Sequence, residues 1–89
     1  MEQALADEYK HIVTDLVKKQ MEMIGPAVAL SIARKVQNLK IDNAGETLDM
    51  GDDPKATLEN VTDAYISFSG EIARMILRTV LKKYPDIKQ

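Results

Sequence analysis

Leu39-Lys40-Ile41-Asp42-Asn43-Ala44-Gly45-Glu46-Thr47-Leu48-Asp49-Met50 is the stretch on which the fold turns. Only here does the apolar spacing switch to a period of two. Leu39 and Ile41 alternate with Lys40 and Asp42, and Leu48 and Met50 alternate with Thr47 and Asp49, as they would along extended chain. The joining Asp42-Asn43-Ala44-Gly45 has the chemistry of a type I turn closed by a left-handed glycine. The reading is a short β-hairpin at about 39–50. Two strands alone are marginally stable in water, so the ribbon must lean on helices or pair with another ribbon across a dimer interface.

Upstream of the ribbon the spacing is helical. Leu5, Tyr9, Ile12, Val13, Leu16 and Val17 share an arc of about 140°, with Asp7, His11, Thr14, Asp15 and Lys18 opposite. That predicts an amphipathic helix over roughly residues 3–23. Gly25-Pro26 interrupts it, because proline removes a backbone donor and crowds the carbonyl four residues back. The next apolar stripe, Val28, Ile32 and Val36 with Ala29 and Ala33, is rotated by roughly 130° from the first, so one straight helix cannot bury both. Gly25 and Pro26 therefore mark a kink. Pro26 suits the first position of a second helix running to about Gln37, where its missing donor would be unpaired anyway.

Downstream, Gly51-Asp52-Asp53-Pro54 supplies a loop, an N-cap and a proline at the first helical position. Leu58, Val61, Tyr65 and Phe68 follow on one face. Ile72, Met75, Ile76 and Thr79 keep that phase, since eighteen residues make five turns. The expectation is one long C-terminal helix, bent near Gly70 and ending near Tyr84-Pro85, where proline restricts the residue before it. The fold class is thus mainly α: helix–kink–helix, short β-hairpin, long helix. Overlaying Gly25 on Gly70 matches Val13 with Leu58, Leu16 with Val61, Met21 with Ile66, Met23 with Phe68 and Leu30 with Met75. Two related helical units are one explanation; the chance likeness of any two amphipathic helices is the other.

Composition bounds what such a fold does. Eighty-nine residues suit a single domain, residues 1–89, burying roughly 60–65% of its unfolded surface. With no cysteine in the chain, disulfides, thiolate nucleophiles and cysteine-based metal centres are excluded. Met1 to Tyr9 lacks the basic and apolar regions of a signal peptide. The longest nearly uncharged stretch, Met23 to Ala33, is too short for the ~20 residues that span a bilayer. The expected setting is cytoplasmic, with no membrane. The net charge of −2 implies no partner by itself, but its distribution is polar. Seven acids face one base between Ile41 and Asp63, and five bases face two acids between Glu71 and Gln89.

The most informative segment for function is Ile72 to Tyr84, whose apolar residues cover an arc of roughly 240°. That exceeds what one core-facing helix needs. Either the helix is sandwiched centrally within its own fold, or, as the favoured reading has it, a second stripe, Leu77, Leu81 and Tyr84, packs on another chain, a twofold homodimer being the commonest way for a small protein to gain core. Arg74, Arg78 and Lys82 form a basic ridge beside it, suited to an acidic patch on an unidentified protein partner. Nucleic-acid binding through the same ridge is the alternative, disfavoured by the lack of surface aromatics and of a basic balance. Small-ligand binding between the helices near Gly25-Pro26 is a further one.

Chemistry is not in evidence. His11 has only Asp7 and Asp15 a turn away, too few groups for a metal or a proton relay. Asp42, Asp49, Asp52 and Asp53 do not fit an EF-hand, because no glycine falls where that loop needs it with acids in the first and third places. Asn60-Val61-Thr62 matches a glycosylation acceptor but lies in a helical setting. The glycines are isolated, so no phosphate-cradling loop exists. The expectation is no enzyme, no cofactor and no metal.

Met23-Ile24-Gly25-Pro26-Ala27-Val28-Ala29, with Ala33-Arg34-Lys35 after it, resembles the "I-G-P-x-A" segment of small helical modules attached to bacterial and archaeal signalling and regulatory proteins. The ribbon is not part of that pattern. The resemblance implies a helical interaction or output module without catalysis of its own.

Overall fold

The computed structural model describes residues 2–85, with side chains described from Asp7 on, so the Leu5 side chain of the first apolar arc and the last charges of the basic C-terminal segment, Asp86 and Lys88, lie outside the described residues. Among the described residues there are four helices and one hairpin: α1 (Glu2–Ile24), α2 (Pro26–Arg34), β1 (Lys40–Ile41), β2 (Thr47–Asp49), α3 (Pro54–Ser69) and α4 (Glu71–Leu81). At 1.5 Å per residue α1 is about 34 Å long. That matches the 35 Å long dimension of the molecule. It is the central element, packed by α2, α3, α4 and β2. Ile12, Val13, Leu16 and Val17 are buried along it, as the amphipathic pattern predicts.

The kink falls at Gly25 and Pro26. The α1 ladder closes with Gly25 N–H donating to the Met21 carbonyl at 3.1 Å, and α2 opens with Ala29 N–H donating to the Gly25 carbonyl at 3.0 Å. Pro26, at the start of α2, leaves no donor unpaired. The second helix stops at Arg34 rather than at Gln37, because the chain tightens into i to i−3 bonds at Lys35 and Val36 and Asn38 turns left-handed at φ 71°. Its buried face is Ala29, Leu30 and Ala33, so Val28, expected inside, faces out.

Strands β1 and β2 pair antiparallel, Lys40 with Asp49 and Ile41 with Thr47, which leaves Leu48 as an extra residue between the two pairs. Such a bulge reverses the inside–outside parity along β2. Met50 is buried as expected, but Leu48 is 58% exposed. The turn is held by the Asp42 carboxylate, which accepts from Ala44 N–H and Glu46 N–H, both at 2.9 Å. Gly45 has φ +88°, and a Cβ there would lie 2.9 Å from Met21 Sδ and 3.3 Å from the side chains of Val17 and Lys18, so the absence of a side chain lets the ribbon lie close against α1. Thr14, read as solvent-facing, is thereby covered. Its hydroxyl donates to Thr47 Oγ1 at 2.9 Å and accepts Thr47 N–H at 3.0 Å. The ribbon leans on a helix of its own chain.

The Asp53 cap forms as the sequence predicts, its carboxylate accepting from Ala56 N–H at 3.1 Å. Thr57 donates its hydroxyl to the Met50 carbonyl at 2.8 Å, tying α3 to the ribbon, and Tyr65 donates to the Ala29 carbonyl at 2.8 Å, tying α3 to α2. The long C-terminal helix is instead two helices. Gly70, at φ 60° and ψ −125°, lies outside any helical conformation and in a region open almost only to glycine. A straight helix over 54–81 would measure about 42 Å, longer than the whole molecule at 35 Å.

Candidate functional site

The break at Gly70 decides which side of α4 the fold consumes. Ala73 and Val80 are buried, and Ile76, Leu77, Leu81 and Tyr84 pack against the core. The stripe expected to meet a partner, Leu77, Leu81 and Tyr84, is therefore turned toward the chain's own interior. Tyr84 is anchored there, its hydroxyl donating to Asp15 Oδ2 at 3.0 Å, with Lys83 Nζ 4.0 Å from the same oxygen. Burial first, then the hydrogen bond to Asp15, pushes the Tyr84 phenol up to about 12.

The surface left over is the stripe that continued the phase of α3. Ile72 is 48% and Met75 59% exposed, and Met23, in the last turn of α1, is 59% exposed. These side chains line one groove of about 330 Å³ between α1 and α4, completed by Ile76, Thr79, Lys19 and Glu22. Its floor is apolar and its rim carries both signs. Lys19 Nζ lies 3.9 Å from Glu22 Oε1 on the α1 wall, and Arg74 Nε lies 3.7 Å from Glu71 Oε1 on α4. Arg74 and Arg78 on α4 and Lys82 just past its end are all exposed.

The remaining candidates lie elsewhere. His11 is exposed on α1. The hairpin acids serve the ribbon and the helix start: Asp42 and Asp53 do so through the bonds above, and Asp49 accepts from Gly51 N–H at 3.2 Å. Glu46 pairs with Lys18, whose ammonium pKa is raised chiefly by that hydrogen bond. Among the described residues no group of three His, Asp or Glu side chains gathers to hold a metal, and no helix is long and apolar enough to cross a membrane. The suggested echo of the two halves holds for Val13 and Leu58 and for Leu16 and Val61, all buried, and for Met23 and Phe68, both exposed. It fails at Leu30 and Met75, of which only Leu30 is inside.

Sequence reasoning missed Met23, Ile72 and Met75 as the exposed set, although the 240° apolar arc that contains two of them was visible. The chain matches no protein-family model, no curated protein and no solved structure.

Proposed function

We propose that this chain is a non-enzymatic helical interaction module that works by binding a second copy of itself, in a regulatory rather than a metabolic setting. One observation carries the reading. After the fold has taken its core, Met23, Ile72 and Met75 remain about half exposed around a single groove, and contiguous apolar surface of that kind marks interaction sites. Methionine suits such a surface, because its flexible, polarisable side chain adapts to what it meets. The mixed charges at the rim add selectivity without requiring a basic ligand. A likeness at Ile24-Gly25-Pro26 to modules of signalling and regulatory proteins supports the regulatory setting. A cytoplasmic location belongs to the same proposal and is tested by cell fractionation.

The deciding experiment is solution mass by light scattering across micromolar to several hundred micromolar protein. The expected value approaches twice the 10.0 kDa of the chain, and Met75→Glu should return it to the monomer. A wild-type mass of one chain throughout that range would end the proposal.

A further inference from the structure

We infer that self-association, on which this inference rests, places α4 antiparallel against α4 of the second copy, on a twofold axis at Met75, with Glu71 of each chain paired to Arg78 of the other. Charge and register along a single helix set this arrangement. Glu71 stands four residues before Met75 and Arg78 three after it, about 6 Å and 4.5 Å along the axis. A twofold axis perpendicular to two antiparallel helices sets each residue against one equally far on the other side of the centre. Glu71 and Arg78 of opposite chains then stand within about 1.5 Å of the same height. At 100° per residue both also fall on the same flank of Met75, about 40° and 60° to one side. The symmetry keeps that flank in register, so two ion pairs form at once.

The other flank carries Ile72 and Thr79, which oppose each other by the same arithmetic and border the groove shared with Met23. One side of the helix pair is ionic and the other apolar. A parallel twofold would instead set the charged flank of each helix against the Ile72 and Thr79 flank of the other, leaving Glu71 and Arg78 without ionic partners across the pair, and would align the two helix dipoles. Charge thus selects the antiparallel one. Arg74, already 3.7 Å from Glu71 within its own chain, leaves that carboxylate a second oxygen for the partner.

The absence of cysteine makes the test clean. A residue on the twofold axis meets itself, so Met75→Cys should give a covalent dimer under mild oxidation, whereas Leu48→Cys, on the exposed ribbon, should not. Glu71→Arg alone and Arg78→Glu alone should each weaken the dimer about three- to tenfold, and the double variant should recover wild-type affinity. Circular dichroism of each variant checks that the fold is kept. A wild-type dimer whose Met75→Cys form fails to cross-link, or whose charge reversals show no mutual rescue, overturns this arrangement while leaving self-association standing. A dimer cross-linked only through Leu48→Cys points to the ribbons and overturns it equally. A monomeric wild type removes both proposals together.

Discussion

Replacing Gln20 with methionine should make the protein more stable. Gln20 lies on α1 between Leu16 and Ile24 and is fully buried, and among the described residues neither end of its side-chain amide has a hydrogen-bond partner. A buried polar group without a partner costs about 1–3 kcal/mol, the water bonds given up on folding being nowhere replaced. Two such atoms on one amide set an upper range of about 2–6 kcal/mol, which relaxation reduces. Methionine has nearly the same length and volume, so the substitution removes the polar atoms without opening a cavity. We expect a gain of about 1–3 kcal/mol, against a total of roughly 4–13 kcal/mol for a domain of this size. In a domain of 60–100 residues each kcal/mol raises the melting temperature by about 4–8 °C. Urea unfolding should move its midpoint upward by on the order of 1 M with an unchanged slope. Protein concentration must be held constant, because association itself raises the apparent stability. A melting temperature equal to or below wild type for both Gln20→Met and Gln20→Leu would refute the reasoning, since it would mean that the amide is satisfied in solution.

Three further outcomes follow from particular contacts. Gly45→Ala forces a Cβ to within 2.9 Å of Met21 Sδ at a positive φ, and should cost about 1–3 kcal/mol in urea unfolding; an unchanged midpoint would show that the ribbon does not lie on α1 as described. Thr14→Val keeps the shape but removes the oxygen that accepts Thr47 N–H at 3.0 Å, and a loss of about 1–3 kcal/mol is expected, with no loss counting against that bond. Alkaline stability tests Tyr84. Its phenol is raised from the ordinary 10 to about 12 in the folded protein, so its contribution is complete below pH 10 and is lost as pH rises toward 12. Tyr65, raised by burial, adds a loss of the same sign. Tyr84→Phe should therefore make the fall in stability above pH 10 shallower, and an identical slope would contradict the assignment.

How far the sequence reached depends on the range of the interaction involved. The amphipathic face of α1, the proline-opened second helix, the Asp42 turn and the Asp53 cap each rest on groups within a few residues of one another, and all were legible. Leu48 was not. Whether it faces in or out depends on one extra residue in the pairing with β1, and pairing is a property of two strands rather than of either. Thr14 looked solvent-facing because its own helix puts it opposite the apolar arc, yet the ribbon, arriving from thirty-three residues away, covers it. The C-terminal helix shows the same division most clearly. A 240° apolar arc announces more apolar surface than the core can take, but periodicity has no means of choosing which part goes inside. That choice was made by the backbone at Gly70, which reorients α4 so that Ala73, Leu77, Val80 and Leu81 meet the core and Ile72 and Met75 do not. Local chemistry determined where the helices begin and where the ribbon turns. Only the packing of distant segments, competing for one small core, determined which apolar face was left for a partner.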